Sequence, residues 1–181
     1  MEYYVIQVKT NDEDEFLRRA SVSPAARHGR LFVPKRSLNI RRLGKTQRRD
    51  LPVFPGYIFL EIEDFDDEAR WDYRHVPGFC RILTDGEKPK PLGEKDRALL
   101  QHFISFGKRA DISKVTFDEK DRIVVIEGAM KGLEGRIEKV DRRKGRARIR
   151  LDLYEDSFAI DFGFEEVRKV GQGGCASHDE P

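Results

Sequence analysis

The stretch Leu51–Ile62, "LPVFPGYIFLEI", combines a strong strand pattern with residues that oppose a strand. Its second half, Tyr57–Ile62, is rich in aromatic and branched apolar residues and is typical of a buried strand. Its first half contains Pro55, which cannot donate a ladder hydrogen bond, and Gly56, which weakens a strand interior. We therefore predict that the strand begins at Tyr57. The proline and glycine before it should form a tight turn that brings the aromatic residues on either side close together.

The residues around this stretch predict a mixed domain of helices and strands. A helix is predicted through "DEDEFLRRA", because Asn11 or Asp12 can cap it and its early acids suit the positive end of the helix dipole. The clearest helix pattern is "LGEKDRALLQHFISFG", which Gly107 can end. Further short strands are predicted at Tyr3–Val8, Arg30–Pro34 and Phe79–Leu83.

The segment Lys35–Arg49 concentrates positive charge, with seven basic residues and no acid. Gly44 near its middle, preceded by the alternating residues Leu38 and Ile40, predicts a β-hairpin. A protruding basic hairpin can bind phosphates with an affinity that falls as salt rises, although a solvated hairpin without a ligand fits the composition equally well. The candidate nucleic-acid-binding residues are Lys35, Arg36, Arg41, Arg42, Lys45, Arg48 and Arg49.

Beyond Phe117 the chain consists of short strand-like segments separated by small turns: "RIVVIEG", "GRIEKV", "RARIRLDLY", "SFAIDFGF" and "EEVRKV". Such closely spaced strands predict a small antiparallel barrel. Arg146, Arg148 and Arg150 alternate with apolar residues, so the arginines should line the outer face of a barrel strand. A basic outer face can bind RNA or an acidic protein, or it can protect a strand edge from pairing, and we favour the latter.

Composition and motifs favour a binding protein over an enzyme. The four histidines have no metal-ligand spacing, and Gly128–Gly135 lacks the Gly-Lys-Ser/Thr of a phosphate loop. The distant cysteines, Cys80 and Cys175, indicate a reducing cytoplasm. No apolar run is long enough to span a membrane, and Met1–Val8 lacks the features of a signal peptide. We therefore expect a cytoplasmic protein without a cofactor, a metal or a membrane partner.

The order of "YYVIQVKT", "FVPKR", "VFPGYIFLEI", "VPGF", a helix and a glycine-punctuated barrel resembles the NusG family of transcription elongation factors. The segment "KDRIVVIEGAMKGLEGRIEKVD" resembles the family's KOW module, in which Gly128 and Gly135 match the two spaced glycines. The resemblance covers about residues 2–170. It implies an α+β fold in which an N-terminal α/β sandwich, an antiparallel sheet flanked by helices, precedes an SH3-like five-stranded β-barrel. The expected limits are 1–107 for the N-terminal domain, 108–116 for a linker, 117–170 for the barrel and 171–181 for a disordered tail.

The resemblance also implies a monomeric, non-enzymatic factor that binds RNA polymerase on the clamp helices of its largest subunits. The polymerase-binding positions of the family match Tyr4, Phe54, Pro55, Gly56 and Tyr57. The resemblance implies that the hairpin reaches upstream or non-template DNA. It also implies that the factor suppresses pausing by bridging the polymerase cleft. The barrel is implied to be an adaptor to Rho or to a small-subunit ribosomal protein, with Tyr154 at a contact position.

The chain departs from the family pattern at Tyr154-Glu155-Asp156, where members often have Phe-Gly-Arg. This change reverses the local charge. Together with the basic segments it suggests a specialised paralogue similar to the LoaP-type antiterminators, in which Lys35–Arg49 would read an RNA hairpin. The alternative is a stand-alone RNA-binding or ribosome-associated protein, because KOW barrels also occur in ribosomal proteins.

Overall fold

The computed structural model describes residues 1–85, 88–154 and 156–167, apart from the side chains of Arg42 and Asp85. The predicted tail at 171–181 and the last predicted barrel residues lie outside this part. The helices are α1 (Glu13–Ser21), α2 (Asp67–Arg74) and α3 (Glu94–Ile104), and none of the described helices is long and apolar enough to cross a membrane. Short 3-10 helices lie at Pro24–Arg27 and Glu134–Arg136. The strands are β1 (Glu2–Val8), β2 (Arg30–Phe32), β3 (Lys35–Arg42), β4 (Lys45–Pro52), β5 (Tyr57–Ile62), β6 (Phe79–Ile82), β7 (Thr84–Asp85), β8 (Lys88–Pro89), β9 (Arg109–Ala110), β10 (Ser113–Phe117), β11 (Ile123–Glu127), β12 (Ile137–Asp141), β13 (Arg146–Leu153) and β14 (Asp156–Glu166).

The N-terminal domain is built on an antiparallel sheet with the strand order β2-β5-β1-β6. Successive side chains of the two central strands, β1 and β5, point to opposite sides of the sheet, and both sides are apolar. Ile6 and Ile58 lie on the first face, which packs against α1 and α2. Val5 and Phe59 lie on the second face, which packs against α3 and the barrel. The predicted antiparallel sheet flanked by helices is therefore confirmed.

The turn before β5 has the conformation predicted from its proline and glycine. The amide of Tyr57 donates to the carbonyl of Phe54 at 3.2 Å, and Gly56 has a φ of +82°. These are the features of a type II turn, which places proline second and glycine third. The Gly56 amide donates to the buried carboxylate of Glu13 at 2.6 Å, and its carbonyl accepts from Val8 at 2.9 Å. The turn is thus bonded to α1 and to the end of β1.

The basic segment forms the predicted hairpin from β3 and β4. Leu43 and Gly44 make its two-residue turn with φ values of 50° and 77°, the positive values that a type I′ hairpin turn requires. At the base of the hairpin, β9 pairs in parallel with β3 through Arg36 and Ala110. Part of the stretch predicted as a linker is therefore a strand in the structure.

The C-terminal domain is a five-stranded sheet with the order β11-β10-β14-β13-β12, curled in the manner of a KOW barrel. Along β13, Ala147 and Ile149 are buried while Arg148 and Arg150 are exposed, as the alternation predicts. The strand set differs from the predicted one in two respects. β14 runs without a break through Glu166, so "SFAIDFGF" and the first residues of "EEVRKV" form one strand. The fifth strand of the sheet is β10, which was not predicted. Its buried Val115 pairs with both neighbouring strands, but its polar residues gave it the appearance of linker.

Gly56→Ala should lower the free energy of unfolding by roughly 1–2 kcal/mol, because a side chain at this positive φ is strained. The added Cβ would also meet the carbonyl oxygen of Val8 and the hydroxyl of Thr10, both at 3.2 Å. Gly132→Ala is the matched control, since Gly132 has a φ of +83° and no atom near its Cβ position. Urea denaturation should show that Gly56→Ala lowers the free energy of unfolding more than Gly132→Ala does. An equal decrease in the two variants would contradict the role of crowding in this turn.

Candidate functional site

The second face of the N-terminal sheet meets the barrel through a cluster of aromatic rings. We call the five rings that span the contact the aromatic interface: Phe54, Tyr57 and Phe103 from the N-terminal domain, and Phe158 and Phe162 from the barrel. Phe158 lies edge-on to Tyr57 at 5.2 Å between ring centroids and to Phe54 at 5.7 Å. Phe103 stacks on Phe162 at 5.7 Å. The two domains therefore share one continuous apolar core.

Hydrogen bonds at the border of this cluster also join the domains. The Tyr57 hydroxyl donates to Asp156 at 2.5 Å, and burial followed by this carboxylate raises the pKa of Tyr57 to about 12. The Tyr154 amide donates to Asp96 at 3.2 Å, and its hydroxyl donates to the carbonyl of Lys90. Burial raises the pKa of the Tyr154 hydroxyl to about 12. Both tyrosines are therefore neutral hydrogen-bond donors to the opposite domain at physiological pH.

Arg36 joins the base of the hairpin to the barrel. Its Nε donates to the carbonyl of Asp161 at 2.7 Å, its Nη1 donates to the carbonyl of Pro52, and its guanidinium lies 5.6 Å from the ring centroid of Phe162. Desolvation lowers the pKa of Arg36 to about 10, with Asp161 acting in the opposite direction. Gly163 allows this close approach, because a Cβ there would lie 3.3 Å from the carbonyl oxygen of Ser37.

The structure brings together some of the predicted polymerase-binding residues and separates one from the rest. Phe54 and Tyr57 are both buried in the aromatic interface, and Pro55 and Gly56 form the turn between them. Tyr4 packs with the first face of the sheet, where its ring lies 4.8 Å from Phe65.

The cations of the hairpin fall into two groups. At the base, Lys35 pairs with Asp14 at 2.6 Å and Arg36 is buried against the barrel, and in the middle of β4 Arg48 pairs with Asp111 at 2.5 Å. Arg41, Lys45 and Arg49 are exposed, and within the described part of the chain none of them has an ion-pair partner. The side chain of Arg42 lies outside the described residues.

The predicted barrel residues have different structural roles. Gly128 has a φ of +106°, and a Cβ there would lie 2.6 Å from the Ser113 hydroxyl, so this position excludes a side chain. Gly135 lies in a 3-10 helix with open space around it. Tyr154, at a φ of 55° between β13 and β14, contacts the N-terminal domain. Among the described residues, no cluster of His, Cys, Asp and Glu side chains could hold a metal ion.

Several interface residues escaped the sequence analysis. Phe158 and Phe162 fit the inward positions of a barrel strand, and Phe103 fits the apolar face of a helix, so their spacing alone gave no sign of a second contact. Asp156 was noticed as a charge reversal, and the structure shows that its carboxylate accepts the Tyr57 hydrogen bond. The sequence offered one signal of this contact, which is the acid Asp156 followed two positions later by Phe158.

Comparisons with known proteins agree with the fold and the arrangement of elements. The model of a family described as "Transcription termination factor nusG" matches residues 1–101. The chain belongs to the NusG family. It is 30% identical over 145 residues to the "Transcription termination/antitermination protein NusG" of Streptococcus pyogenes serotype M3, covering 78% of this chain and 73% of that protein. The NusG protein of Thermus thermophilus is 25% identical over 146 residues, covering 77% of this chain and 79% of that protein.

A solved structure titled "Domain interaction in Thermotoga maritima NusG" has the same fold, with a TM-score of 0.54 at 14% identity. The match covers 90% of this chain and 93% of that one. The predicted family and the predicted α+β fold are confirmed. NusG proteins are transcription factors and not enzymes, so a general role in transcription termination or antitermination follows for this chain.

The stability of the protein should fall as pH rises from about 10 to about 12, in part through Tyr57. In the folded protein Tyr57 keeps its proton up to a pKa of about 12, whereas in the unfolded chain a tyrosine loses it from pH 10.0 upward. The contribution of Tyr57 to the free energy of unfolding is therefore fully present below pH 10 and is lost as the pH rises through the folded pKa. Urea denaturation at several pH values should show a shallower decline for Tyr57→Phe. Identical slopes for the variant and the unmodified protein would contradict the assigned pKa.

Proposed function

We propose that this protein is an elongation or antitermination factor that binds RNA polymerase through its N-terminal domain, suppresses pausing or termination, and uses its barrel as an adaptor. The observation that carries this proposal is the aromatic interface. Phe54 and Tyr57 form an apolar surface on a sheet face, and a separate domain covers that surface through a contact with polar borders.

The proposed partner surface is the pair of clamp helices in the largest polymerase subunits. Clustered aromatic side chains on a rigid sheet are suited to anchor an apolar helix, and the type II turn holds Phe54 and Tyr57 in place. Pro55 and Gly56 contribute through the turn, while Tyr4 would contact the partner only from the other side of the sheet. The arrangement described above is then a closed form, and polymerase binding requires the barrel to move away.

Opening would also expose the proposed adaptor surface. Tyr154 contacts the N-terminal domain through Asp96 and the carbonyl of Lys90, so its hydroxyl and amide are occupied in the closed form. Release of the barrel frees Tyr154 for Rho or a small-subunit ribosomal protein, the partners implied by the family. Gly128 acts indirectly, because it shapes the loop packed on Ser113.

The hairpin is the proposed contact with upstream or non-template DNA or with a nascent RNA hairpin. Arg41, Lys45 and Arg49 are its available cations, since they are exposed and unpaired within the described residues. We propose that the factor acts as a cytoplasmic monomer. A stand-alone RNA-binding or ribosome-associated role is the second candidate, and the exposed cations are the observation that favours it.

Polymerase binding by the full chain should respond in opposite directions to variants on the two sides of the interface. Tyr57→Ala should reduce capture by purified core RNA polymerase, because it removes a docking side chain. Phe158→Ala should tighten binding by roughly tenfold, since it weakens the closed form by about 1.4 kcal/mol or more and leaves the docking residues intact. Affinity is measured by titrating polymerase against labelled protein, with circular dichroism as the check on folding.

Trp71→Ala is the matched control, because Trp71 is a large exposed aromatic residue outside the aromatic interface. It should leave polymerase affinity unchanged. Because Tyr57 also holds the barrel, the docking face is tested in the Phe158→Ala background, where the barrel is already loosened. Polymerase binding by Tyr57→Ala/Phe158→Ala that is as tight as binding by Phe158→Ala would overturn the proposed docking face. Unaltered binding by Phe158→Ala would overturn the closed form as a barrier.

Transcription in vitro through pause sites and terminators should show greater read-through when the protein is added. Phe158→Ala should act at a lower concentration than the unmodified protein, and Tyr57→Ala should be inactive. An equal transcript pattern with and without the protein would refute the elongation role.

A further inference from the structure

Two basic stretches of the sequence, the hairpin Lys35–Arg49 and Lys139–Arg150 of the barrel, meet at a cleft. The cleft has a volume of about 450 Å³ and is lined by Asn39, Ile40, Arg41 and Thr46 of the hairpin and by Arg143, Lys144 and Arg146 of the barrel. Arg146 Nη2 donates to the carbonyl of Asn39 at 2.7 Å and so joins the two walls. This cleft therefore exists only while the barrel is packed against the N-terminal domain.

The residues that line the cleft carry an excess of positive charge. Four of its lining residues are basic and none is acidic. Arg41 and Arg143 have no ion-pair partner within the described part of the chain, whereas Lys144 lies 3.4 Å from Asp141. The Nε of Arg146 is buried and finds no hydrogen-bond acceptor among the described atoms. Like charges held this close repel one another, so an anionic ligand would be attracted to the cleft.

We propose that this cleft binds the phosphodiester backbone of a nucleic-acid strand, and that the bound strand holds the barrel over the aromatic interface and opposes polymerase docking. The second half of this proposal rests on the proposed docking function. The first half rests only on the cleft.

The side chains of the cleft favour phosphate over other anions. Three of its four cations are arginines, whose planar guanidinium groups match phosphate oxygens in pairs. The basic surface continues into an adjoining depression that contains Lys139 and Arg148. The two acids there, Asp141 and Asp161, are each engaged by a cation, at 3.4 Å and 2.8 Å. A row of cations along two connected depressions fits a polymer of phosphates better than a single ion.

A strand in this cleft would couple nucleic-acid binding to the position of the barrel. It would touch Arg41 on one domain and Arg143 and Arg146 on the other, so its full set of contacts is present only in the closed form. A ligand that binds one form more tightly shifts the population toward that form. Because such coupling is reciprocal, polymerase docking would in turn weaken the hold on the strand.

The first experiment measures binding of a labelled single-stranded RNA, and of a DNA with the same sequence, to the full chain without polymerase. Arg41→Ala and Arg143→Ala should each weaken binding and make the plot of log affinity against log salt shallower by about 0.7. Phe158→Ala should also weaken binding although it removes no charge, because it loosens the closed form. Arg74→Ala, at an exposed arginine of α2 outside the cleft, should change nothing.

These results separate the cleft from other sites. Equal affinity for RNA and DNA supports a backbone site that accepts either strand, and tighter RNA binding supports the same site with RNA as its ligand. Full affinity in Arg143→Ala would overturn the proposal, because the hairpin alone would then be sufficient. Displacement of the oligonucleotide by polyglutamate as readily as by unlabelled RNA would also overturn it and indicate an acidic protein ligand.

The second experiment adds the oligonucleotide to the polymerase titration. It should raise the polymerase concentration needed for half-saturation by at least about fivefold, a typical size for coupling between two sites. Arg143→Ala, at a barrel residue outside the proposed docking face and outside the hairpin, should bind polymerase normally without the oligonucleotide and lose this effect. Polymerase binding that ignores the oligonucleotide would overturn the coupling. Loss of polymerase binding under every condition would instead count against the docking function and leave the oligonucleotide measurements as the test of the cleft.

Discussion

Tyr57 contacts the barrel through both its ring and its hydroxyl, and the position of the barrel relative to the sheet depends on this residue. The ring lies edge-on to Phe158 at 5.2 Å, and the hydroxyl donates to Asp156 at 2.5 Å. An apolar contact is non-directional and tolerates many orientations of two surfaces. A hydrogen bond requires a donor and an acceptor at a defined distance and angle. The ring thus supplies attraction between the domains, and the hydroxyl selects the orientation.

The polar border of the interface makes the closed form reversible. Tyr57, Tyr154 and Arg36 all donate hydrogen bonds across it, and each group can bond to water once the domains separate. Separation therefore costs little more than the loss of the apolar contact, as in transient interfaces between domains. Asp156 shows how the charge reversal at Tyr154-Glu155-Asp156 acts within the chain. Its carboxylate is the acceptor for Tyr57, so a departure from the family pattern is used to hold the barrel.

Strong periodicity made the elements predictable, whereas contacts between elements left little trace in the sequence. The start of β5 at Tyr57 followed from the conformational limits of Pro55 and Gly56, which act locally. The hairpin followed in the same way from Gly44. β10 was missed because alternating polar residues concealed its buried Val115. The aromatic interface was missed for a different reason. Phe158 lies on the inward side of β14, and alternation predicts that a side chain is inward without showing that it also meets another domain.

The hairpin shows the same limit for charge, because its seven cations look equivalent in the sequence and are not equivalent in the structure. At the base, Arg36 is desolvated and Lys35 is paired, so these charges fix the hairpin to its surroundings. Towards the tip, Arg41 and Lys45 are exposed without an ion-pair partner among the described residues. The paired Lys35 and the buried Arg36 therefore fix the base of the hairpin that carries the unpaired cations at its tip. A ligand that neutralises the tip meets cations already held on a paired strand, and ordering them costs less than ordering the same side chains on a loose loop.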